Sequence, residues 1–101
     1  MSVTFFVDST GEGVNMANSN AARVLGVLGY GELAGEAEAD DFLGRVLVGL
    51  ALTPVDAGRP AAAEGNFIDC GRRAGYIQER LEELRGLAEE ARARRLPVCW
   101  G

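Results

Sequence analysis

Between Gly75 and Arg94 the apolar residues Ile77, Leu81, Leu84, Ala88 and Ala91 recur at spacings of four, three, four and three. That spacing gathers them into one stripe on an α-helix, while Glu79, Glu82, Glu83, Arg85, Glu89, Glu90 and Arg92 fall on the remaining surface. A helix of this kind gains most of its stability by laying its stripe on something apolar, so the rest of the chain must supply a surface about five turns long. The spacing predicts a helix over Gly75–Arg94, stopped by Pro97. Glu82–Arg85 and Glu90–Arg94 are helix neighbours, each worth ~0.2–0.5 kcal/mol. A coiled coil is the rival use of the stripe, although three heptads are barely present.

The second constraint is Asp40–Leu52. Phe42, Leu43, Val46, Leu47, Val48, Leu50 and Leu52 cover nearly its whole circumference. A helix apolar all round is buried, as the central core helix or against a second subunit. Asp40 and Asp41 suit its first turn, where the helix dipole favours negative charge, and Pro54 ends it. Gly44 and Gly49 each weaken it by about 1 kcal/mol relative to Ala and leave room for the close approach of another backbone.

Around these helices the sequence reads as strands and turns. Val3–Val7 is β-branched and aromatic, closed by Asp8-Ser9-Thr10-Gly11. Residues 9–17 read as a loop. Asn18 or Ser19 is a suitable N-cap for a helix carrying Ala21, Val24, Leu25 and Leu28, and Gly29 is its natural stop. Tyr30–Ala37 is Gly-rich and ambiguous, with a short edge strand around Glu32–Glu36 as one reading. Residues 54–65 form a Pro/Gly/Ala loop. Phe67–Cys70 reads as a strand, the second arm of a hairpin turning at Glu64-Gly65, and Val98-Cys99-Trp100 as a last short strand. The predicted fold is α+β: three helices on one face of a small mixed sheet, the first and last strands adjacent, and the third helix's stripe over the sheet. At 101 residues the chain is expected to form a single domain, residues 1–101.

The titratable residues exclude whole reaction classes. All ten basic residues are Arg; Lys and His are absent. Lys nucleophiles, Walker-type phosphate lysines, His general bases, Ser-His pairs and His-ligated zinc are therefore ruled out. Cys70 and Cys99 alone do not make a zinc site and read as small buried hydrophobes. No metal, cofactor or catalysis is expected. The formal net charge is -5. Residues 1–58 hold two Arg and eight acids, a net of −6, whereas residues 59–101 hold eight Arg and seven acids, a net of +1. An acidic chain disfavours direct DNA binding, which needs clustered basic groups. The N-terminal residues lack the pattern of a signal peptide and no run suits a membrane span, so a cytoplasmic location with reduced cysteines is expected.

Two segments carry candidate binding chemistry. In Cys70-Gly71-Arg72-Arg73-Ala74-Gly75-Tyr76, two Arg stand at a helix entrance, where the dipole disfavours cations unless an anion joins them. Arg72 and Arg73 suit phosphate bidentately, and Tyr76 can stack on a base. They also fit solvent-facing Arg on a loop, paired with Asp69 or with the acidic N-terminal half. In Asn15-Met16-Ala17-Asn18-Ser19-Asn20, the residues Asn15, Asn18 and Asn20 can read a base edge or ribose, or can simply cap and turn the chain. Trp100 is a second candidate stacking surface. Asp41 and Arg45, four apart, read as a structural ion pair.

Asn18–Gly29 (NSNAARVLGVLG), Ala39–Leu47 (ADDFLGRVL) and Asp69–Ala91 (DCGRRAGYIQERLEELRGLAEEA) together resemble small proteins encoded by actinobacterial phages and prophages, over about half the chain. That group carries no assigned activity, so no functional residue transfers. The resemblance implies a role in countering host defence. One mechanism is sequestration without turnover of a cyclic or modified nucleotide signal by an oligomer, with Arg72 and Arg73 on phosphate, the Asn residues on base or ribose, and Tyr76 or Trp100 stacking. Another is an acidic nucleic-acid mimic that inhibits a basic host protein through Glu32, Glu36, Glu38 and the acids of the second helix. A third is a structural or regulatory homodimer formed through that helix. The all-Arg usage also suits a high-GC genome, which accounts for the missing Lys independently of function.

Overall fold

The computed structural model describes residues 1–8, 11, 13–52 and 75–101, together with the backbone strands of 62–64 and 67–69. Strand β1 (Ser2–Phe6) turns back into β2 (Val14–Ala17), which runs directly into helix α1 (Asn18–Leu28). Strand β3 (Gly35–Ala37) precedes α2 (Ala39–Leu52), and β4 (Ala62–Glu64) pairs with β5 (Phe67–Asp69) as a separate hairpin. Helix α3 (Tyr76–Arg94) leads to β6 (Val98–Trp100). The architecture is α+β, with three helices and a four-stranded sheet of order β2-β1-β6-β3.

The first and last strands are neighbours, as expected, with Phe5 opposite Trp100 and Phe6 opposite Cys99. The sheet is antiparallel throughout, however, where a mixed sheet was expected. Strands β1 and β3 run in the same direction, and β6 lies between them in the opposite one. No two like-directed strands are left side by side.

Residues 14–17, expected to lie in a loop, form β2. Met16 faces inward and is buried, while Asn15 faces outward and donates from Nδ2 to Ser2 Oγ (3.1 Å) and Thr4 Oγ1 (2.9 Å) on β1. Those hydroxyls satisfy a residue that strands otherwise disfavour. The strand also displaces the predicted cap. The N-cap of α1 is Ala17, without a side-chain cap bond, and the Asn18 amide donates to Met1 O instead. At its other end α1 stops as predicted. Gly29 has φ 84°, and the amides of Gly29 and Tyr30 return to Gly26 O and Leu25 O.

Helix α3 packs chiefly along α2, with lesser contact to β2 and β6. Its stripe, Ile77, Leu81, Leu84, Ala88 and Ala91, is buried as predicted, joined by Leu87, but it faces the neighbouring helix more than the sheet. The two helices are antiparallel: Arg92 near the end of α3 pairs with Asp40 at the start of α2, and Leu81 lies over Gly49. A Cβ at Gly49 would come within 3.1 Å of Val27 and 3.6 Å of Leu81, so this glycine sets the approach of all three helices. Gly44 has open space instead. Of the two expectations for α2, that of a central core helix is corrected. Phe42, Val46 and Gly49 are buried, but Leu47, Val48 and Leu52 are 46%, 57% and 76% exposed. Packing against α1 and α3 covers one side of the helix only.

Leu84 is fully buried at the centre of this helix pair. Leu84→Ala is expected to lower the unfolding free energy by about 2–5 kcal/mol through lost transfer energy and the cavity left behind. Urea midpoints would register the loss with an unchanged m-value.

Candidate functional site

Two grooves border the first turns of α2. The first lies where that end meets the last turn of α3. It is about 380 Å³ and is lined by Glu38, Ala39, Asp40, Arg92, Arg95, Leu96 and Pro97. Arg92 Nε and Asp40 Oδ1 bridge it at 3.0 Å. Pro97 prevents α3 from continuing, so the chain must turn at residues 94–96, which include no Gly or Asn. Arg95 takes the left-handed conformation at φ 55°, ψ 43°, and the amides of Arg95 and Leu96 close on Arg92 O and Ala91 O. That conformation costs a side-chain-bearing residue roughly 1–2 kcal/mol. Arg95 makes no ion pair among the described residues. The groove thus offers one unneutralised guanidinium, a second held by Asp40, and an apolar wall from Ala39, Leu96 and Pro97. Sequence reasoning used Pro97 to end the helix but missed the residue it forces into a turn.

The second groove, about 500 Å³, runs between α1 and α2 past Val27, Leu28, Asp40, Asp41, Gly44, Arg45 and Val48. Beside it lies a compact polar cluster. Tyr30 Oη donates to Asp41 Oδ2 at 2.6 Å, and Arg45 Nε donates to the same oxygen at 3.0 Å. Arg45 Nη1 also donates to Leu28 O, an end carbonyl of α1, while its guanidinium sits 4.9 Å from the Tyr30 ring centroid. The predicted Asp41–Arg45 pair is present, and Tyr30 is the member the sequence did not supply. Burial first, then the hydrogen bond to Asp41, pushes the Tyr30 phenol well above its ordinary range. The Tyr30 hydrogen bond, ahead of Arg45, holds the Asp41 carboxyl below its usual value. These bonds tie α1 to α2 and leave neither group in a protonation state suited to proton transfer near neutrality.

Of the residues expected to bind a ligand, those that are described do not converge. Arg72 and Arg73, with Cys70, lie outside the described residues. Tyr76 opens α3 half-buried, with the Arg80 guanidinium 5.1 Å from its ring centroid. Asn15 spends its amide on Ser2, Thr4 and Val3 O across the sheet. Asn18 and Asn20 lie in the first turn of α1, half-buried. Trp100 requires correction as a stacking surface. It is 5% exposed, packs against Phe5, Tyr30 and Phe42 with ring centroids 5.0–6.1 Å away, and donates from Nε1 to Glu32 O at 3.0 Å. Alternation along β6 explains this, because Val98 and Trp100 share the inward face and Cys99 the outward one.

Cys99 Sγ lies 3.9 Å from Glu36 Oε2, and burial followed by that carboxylate raises its pKa, which keeps the thiol protonated and weakly nucleophilic. Among the described residues no group of three or more His, Cys, Asp or Glu could hold a metal ion. None of their helices is long and apolar enough to cross a membrane.

Because Asp41 is depressed in the folded state, its contribution to stability is present above the ordinary value of 3.8 and is lost as pH falls below it. Tyr30→Phe removes the largest cause of the shift. In a carboxyl NMR titration of this variant, the Asp41 midpoint should move up toward the ordinary value, and acid unfolding should lose the corresponding part of its pH dependence. Compared with family models, with curated proteins and with solved structures, the chain matches none.

Proposed function

We propose that the protein is a non-catalytic binding protein that sequesters a small anionic ligand of the nucleotide class, a cyclic or modified nucleotide signal, in the groove between the start of α2 and the end of α3. The observation that carries this reading is Arg95: a left-handed, side-chain-bearing residue where glycine is the usual choice, lining a groove and lacking a counter-ion among the described residues. The volume of about 380 Å³ suits a small molecule. Arg95 would take phosphate, with Arg92 turning from Asp40 to assist. Leu96 and Pro97 would support the base or sugar. The missing Lys and His support binding without turnover. The resemblance to actinophage proteins supplies the setting, capture of a defence signal in the host cytoplasm.

Thermal unfolding with a panel of cyclic mono- and dinucleotides and ADP-ribose derivatives tests this. A ligand at about 100 times its Kd adds ~2.7 kcal/mol, a shift of roughly 10 °C or more for a domain of this size. Arg95→Gly separates fold from function. Relief of the left-handed strain should stabilise the free protein by about 0.5–1 kcal/mol, while the ligand-induced shift disappears. A panel without any shift ends the nucleotide reading. A full shift retained in Arg95→Gly ends the assignment to this groove.

A second reading is favoured by one observation: Glu32, Glu36, Glu38, Asp40 and Asp41 are all exposed within ten residues of chain. Such a strip would dock on a basic host protein in place of nucleic acid. Capture of a basic partner should then weaken steeply between about 0.1 and 0.5 M salt and be lost in a Glu32→Gln, Glu36→Gln, Glu38→Gln variant.

A further inference from the structure

The exposed side of α2 combines a ridge and a groove. Leu47, Val48 and Leu52 stand out on its last two turns. Beside them the Gly44 backbone is bare, with nothing within 4 Å of where a Cβ would stand, at the floor of the groove shared with α1. The groove is also polar in the sense of having two unlike ends. Asp40 and Asp41 mark one end, where Arg45 pairs with Asp41 and leaves the groove lining one net negative charge, Asp40 being bridged from outside it by Arg92. Val27, which touches Gly49, marks the other, and Arg23 lies one helical turn beyond it on the same side of α1. Arg23 is exposed and makes no ion pair among the described residues.

An apolar ridge beside a groove, with opposite charge at the two ends, is self-complementary under a two-fold rotation. We propose that this face is a homodimer interface, in which α2 of one copy runs antiparallel to α2 of the second copy. Leu52 of each fills the space over Gly44 of the other. Leu47 and Val48 meet across the axis. Arg23 of each faces Asp40 and Asp41 of the other, which offsets part of the repulsion between two chains of net charge -5. The site needs no ligand and shares only Asp40 with the nucleotide groove, so the ligand-free chain tests it separately.

Sedimentation of the ligand-free full chain tests it. The expected result is a species of twice the 10.7 kDa chain mass at micromolar concentration. Val48→Glu should raise the dissociation constant roughly tenfold or more without loss of helical circular dichroism, because the position is exposed. Gly44→Leu is the sharper variant: its side chain meets open space in one chain and a steric block in the pair, so it should dissociate the dimer while leaving the fold at least as stable. Arg23→Glu should weaken the dimer, and adding Asp40→Arg should restore it. A wild-type monomer at 100 μM would overturn the proposal, whether the ridge is covered by the chain itself or by a foreign partner. So would a dimer that persists in both Val48→Glu and Gly44→Leu.

Discussion

The packing of Trp100 against Phe5, Phe42 and Tyr30 holds the molecule together. Each of these rings comes from a different element: β6, β1, α2 and the turn after α1. Aromatic rings bury large areas and prefer the tilted and offset arrangements seen here. Trp100 also completes the sheet edge, since its indole approaches the Gly35 backbone closely. A Cβ at Gly35 would lie 3.0 Å from the ring. One residue therefore seats the central strand, orders the entry to α2 and fixes how closely β3 can lie.

A polar layer over this apolar cluster adds direction. Tyr30 belongs to both: its ring stacks on Phe42, and its hydroxyl reaches Asp41. Arg45 then reaches back to the end of α1 through Leu28 O. Gly29 is required for its positive φ, and a Cβ there would also displace the Arg45 guanidinium, whose Nη1 would lie 2.8 Å from it. The cluster is accounted for by structure, and for that reason the functional reading rests on Arg95 rather than on the most densely bonded residues.

Short-range pattern was legible in the sequence. The stripe of α3, the stop at Gly29, the Asp41–Arg45 pair and the strand Val98–Trp100 all follow from residue spacing and backbone preference, which act within a few residues. What depended on distant partners was not. Asn15 is a poor strand residue until the hydroxyls of Ser2 and Thr4 face it. The apolar circumference of α2 records how much surface could be buried, not how much has a neighbour. Trp100 near Cys99 looked like an isolated aromatic available to a ligand, although its phase with Val98 placed it inward. As for the site, Arg72 and Arg73 were chosen by the sign of a helix dipole at α3's entrance, whereas Arg95, a described guanidinium without an ion pair that lines a groove, stands at its exit. A proline two residues on was the available signal.

The position of β6 between β1 and β3 has a kinetic consequence. Residues 98–100 pair with residues 5–6 on one side and 35–37 on the other. The β1–β2 hairpin and β3 therefore have no ladder in common until a strand more than sixty residues downstream of β3 arrives. Closing such loops costs entropy before any contact compensates for it, and non-local pairing of this kind slows folding. Until then β1 and β3 present open edges to other chains. The helix pair α2–α3, formed from the intervening chain, is the element able to assemble first and carry β6 into place.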